Sequence, residues 1–139
     1  VLGFEKAVAR EKKIEVEESI SIPREMEVAD SVLCGILGNA LDNAIEAEEE
    51  FDGQKKMWIE IQEQKGNAGK VSIYIANAYY KKSQDELEQL FEYGYSTKGE
   101  GRGIGLYDVK ILVHKNKGDL IVQNGQRDGG DCFELWIVI

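Results

Sequence analysis

Two carboxamides stand four residues apart in the segment Asn39-Ala40-Leu41-Asp42-Asn43-Ala44. On a helix that spacing stacks them on one face, with Glu46 on the same side, beside the apolar stripes Val32, Ile36, Ala40, Ala44 and Leu33, Leu37, Leu41, Ile45. An amide bordering a buried face needs partners, because leaving it without hydrogen bonds costs roughly 1 to 3 kcal/mol. Two roles fit: tying down neighbouring backbone, or offering neutral oxygens to a hard cation such as Mg²⁺ when phosphates supply the negative ligands.

A second cluster is Ser96-Thr97-Lys98-Gly99-Glu100-Gly101-Arg102-Gly103-Ile104-Gly105-Leu106. Alternating glycines directly before an amphipathic helix let backbone N–H groups converge without Cβ obstruction, and the helix N-terminus adds its partial positive charge. The segment reads as a phosphate cradle flanked by Lys98 and Arg102, or as a flexible loop with two solvated cations. It contains neither the GxxxxGK[ST] pattern nor a strict GxGxxG directly after a strand. A third candidate is Asn77, which closes an apolar strand; its amide can donate and accept at the edge of a purine ring, or serve as a strand-ending turn residue.

The elements that must hold these residues follow from periodicity. Val1 to Lys13 is helix-compatible, and Ile14, Val16, Ile20 and Ile22 alternate in a strand expected to end at Pro23. Asp30 is placed to cap a long helix from Ser31 to Glu50 whose wide apolar face predicts burial. Met57, Ile59 and Ile61 alternate before a polar turn, and Val71, Ile73 and Ile75 answer them, which predicts a hairpin. From about 78 to 103 the periodicity weakens, except for a short helix expected at Ser83 to Phe91 with Ser83 as cap. Leu106, Val109, Leu112 and Val113 mark a further helix, and Leu120 and Val122 pair with Phe133, Leu135, Ile137 and Ile139 across a connection from Asn124 to Asp131. Paired strands interspersed with helices predict an α+β fold, a two-layer α/β sandwich with a mixed, mostly antiparallel sheet covered on one face by helices.

The 139 residues suit one domain, and 26 acidic against 17 basic residues give a formal net charge of −9. A broad basic face for nucleic acid is excluded, so any anion must be bound by local devices. Two cysteines, Cys34 and Cys132, and one histidine, His114, cannot form a zinc cage, and a reduced cytosolic setting is the default expectation. No apolar run approaches the ~20 residues of a membrane span. The chain starts at Val1 and is expected to be a fragment, which leaves attachment to a membrane open for a parent protein.

In chain order the three clusters resemble the catalytic and ATP-binding domain of sensor histidine kinases, the GHKL or Bergerat fold. Leu37-Gly38-Asn39-Ala40-Leu41-Asp42-Asn43-Ala44-Ile45-Glu46-Ala47 is similar to the family's N box. Phe91 to Lys98 is similar to its F box and lid, Gly101-Arg102-Gly103-Ile104-Gly105-Leu106 to its G2 box, and Gly129 to Leu135 to its last strand. The wording is most similar to the peptide-responsive quorum-sensing kinases of Gram-positive bacteria.

The resemblance implies ATP and Mg²⁺ as ligands and an ATP lid over about residues 78–103. Asn43 and Asn39 would face the metal, and Asn39, Asn43 and Lys98 would form the catalytic set. Ser96, Thr97, Gly101, Arg102, Gly103, Ile104 and Gly105 would meet the phosphates, and Ile75, Asn77 and Leu106 the adenine. The resemblance departs at Asn77-Ala78-Tyr79-Tyr80, where the family's DxGxG box has an Asp and glycines, and at Asn39, where hydrolytic relatives place a glutamate base.

His114 does not resemble a phosphoacceptor. The implied activity is therefore protein-histidine kinase catalysis completed by a phosphoacceptor histidine on a separate domain of the same parent protein, so that this chain alone would not autophosphorylate. The parent would be a homodimer in the cell membrane with this domain in the cytoplasm, passing phosphate to a response regulator; nucleic acid is not an expected partner. The alternatives are a serine-directed kinase of the same fold, of the anti-sigma-factor type, and an interaction module that has lost nucleotide binding.

Overall fold

The computed structural model describes residues 2–92 and 105–139. The order is α1 (Leu2–Glu11), β1 (Glu15–Ile20), α2 (Asp30–Glu49), β2 (Lys56–Glu63), β3 (Val71–Ala78), α3 (Gln84–Gln89), α4 (Gly105–Lys115), β4 (Asp119–Arg127) and β5 (Gly130–Val138). The strands form one sheet in the order β1-β2-β3-β5-β4, in which β1 runs parallel to β2 and the other neighbours are antiparallel. This is the mixed, mostly antiparallel sheet of the two-layer α+β sandwich.

The period of two divides the sheet into unlike faces. Met57, Ile59, Ile61, Val71, Ile73, Ile75, Leu135 and Ile137 are buried against the helices in one core with Leu37, Leu41, Ala44 and Ile45 of α2 and Leu106, Val109 and Val113 of α4. The opposite face carries a smaller cluster of Trp58, Tyr74, Ala76 and Cys132. Arg127 lies over the rings of Trp58 and Tyr74 there, and its Nε donates to the Tyr74 hydroxyl at 3.0 Å.

Several boundaries differ from the sequence expectation for local reasons. β1 stops at Ile20, and Ile22 is exposed because the chain leaves the sheet before Pro23. Asp30 does not cap α2: Ala29 holds the N-cap position without a side-chain bond, and Asp30 stands in the first turn, where its charge favours the helix dipole. The last hairpin is longer than expected, pairing from Asp119↔Val138 to Arg127↔Gly130. Only Asp128 and Gly129 turn, with φ of 51° and 80°, the backbone a two-residue hairpin requires. α3 has the expected cap: Ser83 Oγ accepts from the Glu86 amide at 3.2 Å while the Glu86 carboxylate accepts from the Ser83 amide at 2.9 Å.

Of the expected lid segment, Ala78 ends β3, the Tyr79 amide donates to the Asp131 carbonyl at 3.3 Å, and Leu87 of α3 is buried. Residues 93–103 of that segment lie outside the described residues.

Candidate functional site

Asn77 is fully buried on the helix-covered face of β3, two residues after Ile75, with Met57 of β2 and Phe133 of β5 as its cross-strand neighbours. Its Nδ2 donates to the Ala78 carbonyl at 3.3 Å, which turns Oδ1 away from its own backbone. Among the described residues no donor meets that oxygen. A buried polar atom left in this state is rare and costs about 1 to 3 kcal/mol, so it asks for a ligand or another partner.

Asn39 and Asn43 are half-buried on α2. They continue the i, i+4 row that begins at Gly35, whose α-carbon side faces Leu112 of α4 so closely that a Cβ would lie 3.2 Å from its Cδ1. The two amides therefore lie along the flank of α2 that turns toward α4. Leu106, in the first turn of α4, is buried in the same core as Ile75. Ile75 and Leu106 thus share one core, Asn77 is buried two residues beyond Ile75 on the same face of β3, and Asn39 and Asn43 are half-buried on α2. Gly105 opens α4. Ser96, Thr97, Lys98, Gly101, Arg102, Gly103 and Ile104 lie outside the described residues.

The departure after Asn77 has a structural consequence. Tyr79 occupies a position where the resemblance expects glycine, and its ring is buried edge-on against Phe133 at a centroid distance of 5.7 Å. Its hydroxyl donates to Asn124 Oδ1, and Asn124 Nδ2 donates to the Lys82 carbonyl at 2.8 Å. Burial pushes the Tyr79 hydroxyl up to about 12, so it stays protonated and remains a donor.

Sequence reasoning missed Glu48. It is the first of three consecutive glutamates, none of them singled out from the sequence, and its side chain is fully buried. Oε1 accepts from the Ala78 amide at 3.1 Å and from the Lys56 amide at 3.2 Å, while Oε2 is buried without a partner among the described residues. Burial, opposed by these two bonds and the charge of Lys55, pushes its acid up to about 7. A signal was present: Leu37, Leu41, Ala44 and Glu48 fall at spacings of four, three and four along the buried stripe of α2.

A cavity of about 190 Å³, lined by Phe51, Lys56, Trp58, Arg127 and Asp128 among others, opens on the other face of the sheet from Asn77. Its cations are already paired: Lys56 with Asp128 at 2.9 Å and Arg127 with Glu60 at 3.2 Å. Among the described residues no group of three His, Cys, Asp or Glu side chains is placed to hold a metal ion. His114 is exposed on α4. Cys34 is exposed and Cys132 buried, both as free thiols. No helix among the described residues is long and apolar enough to cross a membrane.

Residues 26–139 match the profile of the GHKL domain family. The sensor protein CitS of Bacillus subtilis (strain 168) is 32% identical over 133 residues, which cover 95% of this chain and 24% of that protein. CitS of Halalkalibacterium halodurans is 46% identical over 52 residues, 37% of this chain and 10% of that protein. The chain thus spans about a quarter, at most, of the curated relatives it matches. Among solved structures, the mycobacterial sensor histidine kinase MprB superposes with a TM-score of 0.75 at 23% identity, over 96% of this chain and 87% of that one. Full-length ShkA in complex with AMPPNP superposes with a TM-score of 0.68 at 27% identity, over 94% of this chain and 26% of that one.

Proposed function

This chain belongs to the GHKL domain family, and from that premise we propose that it binds Mg–ATP and presents the γ-phosphate to a phosphoacceptor histidine on a separate domain of a sensor histidine kinase. Its sheet and helices have the fold of the sensor histidine kinase MprB, and the curated relatives it matches are sensor proteins. The observation that carries the nucleotide reading is the buried Oδ1 of Asn77, which meets no donor among the described residues. Adenine presents an exocyclic amino group that satisfies such an acceptor, whereas guanine presents a carbonyl at the equivalent position and would leave two acceptors facing each other. Ile75, two residues before Asn77 on the same face of β3, and Leu106, in the same core as Ile75, would supply the apolar surface for the base.

The residues present fit a magnesium ion only in company with phosphates. Two neutral carboxamides are too few and too weakly charged to hold Mg²⁺ by themselves, but they suit an ion whose other ligands are phosphate oxygens and water. Asn43 would hold it, with Asn39 as a second ligand or as the group that orients a bound water. Bound there, the ion would neutralise phosphate charge. Lys98, with Ser96, Thr97, Gly101, Arg102, Gly103, Ile104 and Gly105, would orient the triphosphate. Asn39, being uncharged, cannot act as a general base toward water, which favours transfer to a protein nucleophile over hydrolysis. Catalysis would then rest on positioning and electrostatic stabilisation.

The parent protein is proposed to be a membrane-anchored homodimer whose cytoplasmic output is a response regulator. Residues 1–139 form its single ATP-binding domain in this proposal, with the lid over about 78–103. Thermal unfolding with ATP, GTP and no nucleotide, each with and without Mg²⁺, tests the reading. ATP at 100 times its Kd stabilises a fold by about 2.7 kcal/mol, which for a chain of this size raises the midpoint by about 9 °C. No shift at millimolar ATP with Mg²⁺ would overturn it.

A further inference from the structure

We infer that Glu48 is a positioning residue for nucleotide recognition: by holding the backbone of Ala78, its buried carboxyl group fixes the carboxamide of Asn77 at a set place relative to α2. The inference rests on the reading that Asn77 meets the base.

The geometry begins at the end of a ladder. Met57↔Asn77 is the last pair between β2 and β3, and the next two amides along the strands are those of Lys56 and Ala78. Glu48 Oε1 accepts from both, at 3.2 and 3.1 Å, and so takes the place of the missing rung. Ala78 is then held on two sides, its N–H by Glu48 and its carbonyl by Asn77 Nδ2 at 3.3 Å. That second bond decides which end of the carboxamide carries the free acceptor. If the Ala78 backbone shifts, the amide that reads the base shifts with it.

Glu48 also sits on the helix that carries Asn39 and Asn43. A helix rises 1.5 Å per residue, so the five residues from Asn43 to Glu48 set a separation of about 7.5 Å along one rigid rod. The metal-facing amides and the anchor of the base-facing amide thus share one body. The C-terminal end of that body is tied to the start of β2 by Lys55 Nζ, which donates to the carbonyls of Glu48 and Phe51. The charge of Lys55 also favours the ionised form of the carboxyl. Glu48 touches neither the base nor the phosphates in this arrangement; it acts through Ala78 and Asn77.

Isothermal titration of ATP, GTP and inorganic tripolyphosphate into the wild-type chain and into Glu48→Leu, Glu48→Gln and Glu48→Asp tests this. Glu48→Leu should lose about tenfold or more in ATP affinity, bring the ATP-to-GTP ratio close to one, and leave tripolyphosphate affinity unchanged. Glu48→Gln keeps an acceptor oxygen in place and should restore the ratio to within about threefold of wild type. Glu48→Asp withdraws the carboxyl by one methylene and should lower the ratio by at least about threefold; if Glu48→Leu does not fold, the contrast between the Gln and Asp variants decides. A folded Leu or Asp variant with the wild-type ratio overturns the role of Glu48. A wild-type chain without preference for ATP overturns it too, by removing the reading of Asn77 beneath it, and the two failures are told apart by which protein shows them.

Discussion

The hydroxyl of Tyr79 donates to the Oδ1 of Asn124, whose Nδ2 donates onward to the Lys82 carbonyl at 2.8 Å. This pair ties the chain leaving β3 to β4, at a position where the related domains are expected to have glycine. In the proposed reading, nucleotide would therefore bind next to an anchored segment. Tyr79→Phe should cost about 1 to 2 kcal/mol, because it leaves the Asn124 acceptor short of a donor. Tyr79→Gly removes a buried ring from the core and should cost about 3 to 5 kcal/mol. Urea unfolding measures both, and a loss below about 1 kcal/mol for the glycine variant would contradict the anchoring.

Stability should carry an unusual pH dependence through Glu48. Its folded acid is pushed up to about 7 from an ordinary value of 4.5, so between those values the native state holds a proton that the unfolded state has released. The contribution is fully present below about pH 4.5 and is lost as pH rises through 7, opposite to a salt-bridged carboxylate. Integrated, the loss is up to about 3 kcal/mol. The stability of wild type relative to Glu48→Gln should fall by up to that amount from pH 4.5 to 7.5, whereas a difference independent of pH would show that the carboxyl titrates normally.

At the junction of α4 and β4, Gly118 permits a backbone approach. A Cβ there would lie 2.5 Å from the Val138 carbonyl oxygen, and the Gly118 amide donates to the Val113 carbonyl at 2.9 Å to close the end of α4. Gly118→Ala should cost about 1 to 3 kcal/mol, since a carbonyl in a strand yields less readily than a side chain. Chemical denaturation of the single variant is sufficient, and an unchanged midpoint would refute the close approach.

Much of this architecture is legible in the sequence. The stripes of α2, the alternation of Met57, Ile59 and Ile61 and the Ser83 cap each report a local physical rule, and each appears in the structure. What escaped depends on distant partners. The stripe of α2 places Glu48 on the buried face, but its role there is to accept from amides 8 and 30 residues away where a ladder ends, and no local pattern contains those amides. Tyr79 likewise reads as a loop residue until Phe133 and Asn124 are brought beside it. Asn77 is legible only as a polar residue at a strand end, since the lack of a donor to its oxygen among the described residues is a property of the folded core.

The metal assignment makes a separable prediction. Asn43→Ala should leave the ATP-induced rise in thermal midpoint seen without Mg²⁺ and remove the further rise that Mg²⁺ adds to wild type. The half-buried position of Asn43 makes the change mild for the fold. A variant that keeps the wild-type magnesium response would place the ion elsewhere.

The most direct test of the central claim is calorimetric titration of Mg–ATP into wild type and Asn77→Leu. Replacing Asn77 by an apolar group of similar shape removes a buried oxygen without a donor among the described residues, at the loss of one 3.3 Å bond to the Ala78 carbonyl. The unliganded fold should therefore change little in stability, while the acceptor that the adenine amino group would meet is gone. The account predicts that wild type binds Mg–ATP and prefers it to GTP, and that the folded Asn77→Leu variant loses about tenfold or more of its ATP affinity. ATP bound equally well by both proteins would contradict it.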